Sequence, residues 1–314
     1  MEKLIVIGSG PAGLTAVLYA ARAKITPLLI EGARNGGAAG GQLMSAGVVE
    51  NFPAQLAGVN GPKLIELLRE QISRYDFTAL SADVTNVNLK SRPFEVECSS
   101  GRRLEANALI VATGSFVRRL PLLSEEKFWE RGISACAICD GGLPLFRNMP
   151  LAVIGGGDSA AEEALHLSRF GSKIYMVHRR DNLRASRILQ ERVLDNPKIE
   201  ILWNKTVVEF VGNDFLTGIS LHDEKTGGTI HLEVAGAFEA IGQVPNTHFL
   251  AGQLEQDADG HVRNRPGTTH TSVDGVFAAG DVADRRYRQA ITASASGCMA
   301  AMDAERWLQE NKFL

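Results

Sequence analysis

Residues 4–13 read Leu4-Ile5-Val6-Ile7-Gly8-Ser9-Gly10-Pro11-Ala12-Gly13. The four apolar residues are a short continuous run, the pattern of a strand buried on both faces in a parallel sheet. The turn G-x-G-x-x-G follows at once, and Thr15 to Ala23, rich in Ala and Leu, is predicted as a helix. Each glycine answers a steric demand. Gly8 makes the tight turn, Gly10 lets the backbone approach a pyrophosphate, and Gly13 allows close packing of helix on strand. The helix N-terminus offers N–H groups and a positive dipole to the phosphates. Pro27 to Ile30 is predicted as the next strand, and Glu31 follows it, 18 residues past Gly13. An acid at that distance reaches a ribose hydroxyl. The glycines alone allow a turn without a ligand. Strand, turn, helix and acid in register define a dinucleotide site.

The pattern returns 147 residues later. Leu151-Ala152-Val153-Ile154 is a strand, Gly155-Gly156-Gly157-Asp158-Ser159-Ala160 the turn, and Ala161 to Phe170 a helix that Gly171 caps. After the strand Lys173 to Val177 there is no acid. His178-Arg179-Arg180 stands there, with Arg184 one turn later if a helix follows. A carboxylate would repel a 2′-phosphate, whereas guanidinium groups bind it by charge-assisted bidentate bonds. The second site is therefore expected to take NADPH, although a basic cluster is elsewhere usually a solvated charge run. His178 either stacks near the adenosine or is a polar strand end. Ala112-Thr113-Gly114 and Ala240-Ile241-Gly242 each follow an apolar stretch late in their unit, as equivalent turns of an internal duplication.

Between the two fingerprints lies Cys136-Ala137-Ile138-Cys139-Asp140. A C-x-x-C pair cycles between dithiol and disulfide, and in that geometry a thiol pKa falls from about 8.5 to around 7. The other cysteines, Cys98 and Cys298, have no close sequence partner and are read as core or half-buried thiols. Four cysteines in 314 residues make no disulfide scaffold, and a single C-x-x-C argues against a zinc site. A reducing cytoplasm fits this usage. The net charge of -3 makes no electrostatic case for nucleic acid or membrane. No apolar run approaches ~18–20 residues. Met1-Glu2-Lys3 runs into a strand and reads as a fold element, not a signal peptide.

With these motifs the sequence resembles the low-molecular-weight thioredoxin reductases, within the two-dinucleotide-domain disulfide reductase flavoproteins. The similarity runs from about Lys3 to Trp307. It adds Gly41-Gln42-Leu43, Glu50-Asn51-Phe52-Pro53, Phe277-Ala278-Ala279-Gly280-Asp281, Tyr287-Arg288-Gln289-Ala290 and the helical Gly297-Cys298-Met299-Ala300-Ala301. The resemblance implies an α/β fold of two Rossmann-like domains of three-layer ββα type. An FAD domain at 1–117 and 247–314 is interrupted by an NADPH domain at 118–246. The turn-prone Val244-Pro245-Asn246 supports the second boundary.

The resemblance places tightly but non-covalently bound FAD at the first site. It gives Gly8, Ser9, Gly10, Pro11, Ala12, Gly13, Glu31, Gly41, Gln42, Leu43, Asn51, Val84, Ala112, Thr113 and Gly114 to that cofactor. Gly280, Asp281, Arg288, Gln289 and Ala290 join them, with Asp281 accepting from a ribitol hydroxyl. For NADPH it implies Gly155, Gly157, Asp158, Ser159, Ala160, Glu163, His178, Arg179, Arg180, Arg184, Ile241 and Gly242. Cys139 would face the flavin, Cys136 would attack the substrate, and Asp140 would exchange a proton with a thiol. The bland reading of Asp140 is a helix N-cap. Thioredoxin is the implied partner, a homodimer the implied assembly, and rotation of the NADPH domain on hinges near 117–121 and 245–248 the implied motion.

The sequence departs from the family in Gly36-Gly37-Ala38-Ala39-Gly40-Gly41, read as a flexible phosphate-side loop. It departs again in Gly141-Gly142-Leu143-Pro144, which bears on partner preference. Arg131 and Arg285-Arg286 either dock an acidic partner or are solvated charges. Reduction of another dithiol protein is the competing function. A ferredoxin–NADP reductase would lack the C-x-x-C, and a non-catalytic scaffold would not need it.

Overall fold

The computed structural model describes residues 1–32, 39–55 and 58–314. Gly36, Gly37 and Ala38 of the glycine-rich loop lie outside the described residues. Within them the α-helices are α1 (Pro11–Arg22), α2 (Gly61–Ile72), α3 (Leu123–Phe128), α4 (Ala137–Asp140), α5 (Asp158–Leu167), α6 (Arg187–Leu194) and α7 (Ala290–Glu310). The chain divides into two compact units, Met1–Phe116 with Val244–Leu314, and Val117–Gln243.

In the first unit, the apolar run of residues 4–7 lies in the strand Glu2–Ile7. Leu4, Ile5 and Val6 are wholly buried because parallel neighbours flank them on both sides. Those neighbours are Leu28–Ile30 and Arg103–Val111. The sheet continues through Thr78–Leu80 on one side and Phe94–Cys98 and Val84–Asn88 on the other, and Val276–Ala278 adds in parallel to Arg103–Val111. One face is covered by α1 and the long α7, through Leu14, Val17, Ala300, Ala304 and Leu308. The other face buries Phe94, Val96, Phe249 and Leu250.

The second unit has three layers. A parallel sheet runs in the order Ile133–Ser134, Gly236–Glu239, Pro150–Ile154, Lys173–His178, Ile199–Trp203. Helices α5 and α6 cover one face through Ala160, Ala164, Leu167 and Val193. An antiparallel meander, Lys205–Gly212, Leu216–Asp223 and Thr229–Glu233, packs Phe210, Ile219 and Leu221 against the other.

Two local expectations are corrected. Helix α5 ends at Leu167 rather than Phe170, with Ser168 as C-cap. Arg169 and Phe170 bond the carbonyls three residues back, which tightens the end into a turn, while the N–H of Gly171 still closes on Leu167 O at 2.9 Å. No helix carries Arg184, because α6 starts only at Arg187. The stretch before it folds back, and the N–H groups of Arg184 and Ala185 both donate to Gly156 O, at 2.7 and 3.2 Å.

Candidate active site

The two glycine turns are built alike. Gly8 has φ +110°, and a Cβ there would stand 2.3 Å from Ala112 O. That carbonyl belongs to the turn after Arg103–Val111, where Ala112 N–H donates to Ile7 O at 2.8 Å. In the second unit Ala240 N–H donates to Ile154 O at 2.9 Å, and Gly155 meets Ala240 O in the same way. The predicted internal duplication is thus a repeated contact between a glycine turn and the turn of the neighbouring strand. Both helices that follow start from a glycine N-cap, Gly10 and Gly157, with no side-chain cap. Their first N–H groups remain for an anion.

At the first turn Pro11 occupies the opening of α1, where a missing N–H costs nothing. Ser9 is buried and its hydroxyl donates to Glu31 O at 2.7 Å, so this side chain serves the strand end. The carboxylate of Glu31 pairs with Arg69 of α2. Gln42, in the short 3-10 helix Gly41–Ser45 with Leu43, donates to Ser115 O at 2.7 Å. Asn51 and Gln289, 238 positions apart, meet through Nδ2–H and Oε1 at 3.0 Å, and Gln289 N-caps α7 ahead of Ala290. Asp281 follows Gly280 in a 3-10 turn. Burial, helped by the charge of Asp284, pushes its carboxyl up to about 6 against the opposing Arg288. Thr113 and Asn246 exchange side chain-to-carbonyl hydrogen bonds at 2.8 Å, and Asn246 N–H reaches Gly114 O at 3.0 Å. Val84 is buried in the sheet core opposite Cys98.

At the second turn Arg179, Arg180 and Arg184 are exposed. His178 is not: its ring lies under Gly156, 2.3 Å from where a Cβ would be, and Nε2 is 3.0 Å from Asn182 O. Burial holds its pKa below the usual value, and the three arginine charges add to that. The ring supports the turn from beneath at the end of its strand. Asp158 accepts Ser186 N–H at 2.6 Å and so ties α5 to the start of α6. Ala160 is buried, while Ser159 and Glu163 lie half-buried on α5. Ile241 packs with the meander-side core, and Gly242 O accepts Arg118 N–H at 3.0 Å.

Cys136 and Cys139 form a disulfide in the second unit. Cys136 is the N-cap of α4, and Cys139 N–H donates to its sulfur at 3.2 Å. Asp140 is the last residue of α4, so the N-cap reading of its carboxylate is excluded. Its carboxylate oxygen Oδ2 accepts from the hydroxyl of Ser134 at 2.5 Å, and the same hydroxyl oxygen accepts Cys136 N–H at 3.0 Å. Burial raises the pKa of Asp140, and the Ser134 hydrogen bond opposes the rise. Sequence reasoning missed Ser134. Its only signal was a hydroxyl two residues before the first cysteine. Arg131 is exposed, Arg285 lies 3.5 Å from Asp257, and Arg286 covers the ring of Tyr287.

A family model described as pyridine nucleotide-disulphide oxidoreductase matches residues 2–297. The chain is 52% identical over 316 residues to the protein named thioredoxin reductase 1, mitochondrial, of Arabidopsis thaliana, covering 98% of this chain and 84% of that one. It is 49% identical to the thioredoxin reductase of Debaryomyces hansenii, over 99% of this chain and 98% of the relative. The solved structure of a thioredoxin reductase from Giardia duodenalis superposes with a TM-score of 0.92 at 40% identity, over 98% of both chains.

Proposed function

Because the chain belongs to the pyridine nucleotide-disulphide oxidoreductases and, within them, to the thioredoxin reductases, we infer that it carries two electrons from NADPH through FAD and Cys136–Cys139 to the disulfide of thioredoxin. The observation that carries this reading is the Cys136–Cys139 disulfide beside Asp140, in the same unit as an arginine-flanked glycine turn.

The first turn suits FAD. It is open at Gly10, where a Cβ would meet only Gly40 O at 3.8 Å, α1 starts uncapped, and the Asp281 carboxyl, raised by burial, suits a hydroxyl partner. The second turn suits NADPH, because Arg179, Arg180 and Arg184 replace the acid of an NADH site. When bound there, FAD would supply the two-electron chemistry that links NADPH to the Cys136–Cys139 disulfide. Cys139 is assigned to the flavin side and Cys136 to the substrate. The N–H of Cys139 aimed at the Cys136 sulfur supports that assignment, since it favours a thiolate there. The Cys136 thiolate attacks one sulfur of the thioredoxin disulfide, and the bond between the two thioredoxin sulfurs breaks. Cys139, as thiolate, then displaces the second thioredoxin thiol and restores Cys136–Cys139. Asp140 carries a proton between these sulfurs.

The disulfide must reach the flavin to be reduced, and the resulting dithiol must meet thioredoxin to be reoxidised. Rotation of the second unit on its two chain crossings meets both needs. Hydrogen bonds brace the crossings within each unit, Thr113 to Asn246 in the first and Arg118 to Gly242 in the second. This supports hinges between those pairs. The family further suggests a homodimer at work in a reducing cytoplasm, and sedimentation of the purified protein tests the assembly. No helix of the described residues is long and apolar enough to cross a membrane.

The deciding experiment records the flavin spectrum of the purified protein and compares NADPH with NADH in reduction of thioredoxin disulfide. A bleached flavin and a strong preference for NADPH are expected. Equal rates with both nucleotides would overturn the reading of the arginines.

A further inference from the structure

We propose that Ser134 is a positioning residue for Asp140: its hydroxyl aims the carboxylate at the redox pair and ties that aim to the backbone of Cys136. The inference rests on the reading of Asp140 as the proton carrier.

Three hydrogen bonds close a ring around these residues. Asp140 N–H donates to Cys136 O at 3.1 Å. The Ser134 hydroxyl donates to Asp140 Oδ2, and Cys136 N–H donates to Ser134 Oγ. The anchor belongs to the sheet: Ser134 ends the edge strand Ile133–Ser134, is buried, and pairs with Phe238 of the next strand inward. A short helical turn such as α4 has little stiffness of its own. The ring makes the carboxylate move with the sheet and with the cysteine backbone.

The same bond selects a protonation state. A hydroxyl has one proton, and here it is given to the carboxylate. That favours the ionised form of Asp140, while burial favours the neutral one. Glu130 faces Asp140 from the turn after α3, held at φ +63°. Its own carboxyl is pushed up by burial and then by the charge of Asp140. Helix α5, which packs on α4, carries the titratable Asp158, Glu162, Glu163 and His166. Ser134 is therefore the neutral group that offsets burial and favours the ionised carboxylate.

The test is the pH profile of the single turnover in which reduced enzyme is reoxidised by thioredoxin disulfide. Variants Ser134→Val, Ser134→Thr and Asp140→Asn are compared, with flavin content and circular dichroism confirming the fold. Valine and threonine have the same shape, and only threonine keeps the hydroxyl. Without the hydroxyl the pKa of Asp140 rises, so its limb of the profile moves to higher pH whether Asp140 acts as acid or base. A shift of roughly one unit, equivalent to about 1.4 kcal/mol, is expected for Ser134→Val from the lost hydrogen bond to a charged group. Ser134→Thr should stay near the wild type. If Asp140→Asn removes the limb while Ser134→Val leaves it in place, the inference fails and the reading of Asp140 stands. If valine and threonine shift it equally, packing and not the hydroxyl is responsible, and the inference fails. A wild-type rate and profile for Asp140→Asn would sink the reading of Asp140 and the inference with it.

Discussion

The carbonyl oxygen of Ala240 stands 2.5 Å from the position that a Cβ on Gly155 would take. Glycine is the residue that lets the turn and the end of the neighbouring strand touch, and its φ of +152° adds a second reason. Gly157, two residues on, has open space around it.

Gly155→Ala is accordingly expected to destabilise the second unit by roughly 1–3 kcal/mol, through overpacking against backbone and backbone strain. Gly157→Ala should leave stability within about 0.5 kcal/mol and raise the KM for NADPH, because its methyl group enters the space left for the phosphates. Denaturant unfolding and nucleotide kinetics on the two variants separate these outcomes.

The three exposed arginines make a prediction about nucleotide choice. Arg179→Ala and Arg180→Ala together are expected to lower kcat/KM for NADPH roughly ten- to a hundredfold, the worth of one or two charge-assisted hydrogen bonds. The value for NADH should hardly move. Equal losses with both nucleotides would mean that the arginines do not read the 2′-phosphate.

The division of labour between the sulfurs is open to trapping. Cys139→Ser should accumulate a mixed disulfide between Cys136 and thioredoxin, resolved on a non-reducing gel. Cys136→Ser should give none. The opposite pattern reverses the assignment of roles, and the N–H aimed at Cys136 would then serve the helix turn alone.

Glu239 carries a pH dependence that catalysis does not use. It ends the strand Gly236–Glu239, is buried, and its carboxyl is pushed up to about 8, first by burial and then by Glu125, with Arg119 opposing. An acid with its folded pKa raised costs nothing below its unfolded pKa of 4.5. Its cost grows with pH between there and about 8, because the unfolded chain ionises freely and the folded one does not. Glu239→Gln is expected to match the wild type near pH 4 and to gain stability as pH rises, on the order of 3 kcal/mol by pH 7. Thermal unfolding across that range measures it, and a gain that does not grow with pH would rule out titration as the cause.

The sequence alone was enough for the architecture. Two apolar runs, each leading into a glycine turn and a helix, specify a parallel strand and the helix that follows it from local sterics, and the missing acid after residue 177 carries the expectation of NADPH from charge. The C-x-x-C pair was legible for the same reason, since its chemistry needs only two sulfurs three residues apart. The ends of α5 and the loop through Arg184 were less so. There, hydrogen bonds to Leu167 and Gly156 compete with helix propensity. Local pattern does not carry that contest.

Only the tertiary structure decided what each polar side chain does once the chain closes. His178, 21 residues past the second glycine turn in sequence, lies buried under Gly156, and the buried hydroxyl of Ser9 donates to Glu31 O. Asn51 and Gln289 met across 238 residues, and Asp140 acquired the Ser134 hydroxyl because a sheet edge and a helix end were brought within hydrogen-bond reach. Periodicity and spacing report on neighbours along the chain. Proton affinity and partner choice depend on neighbours in space.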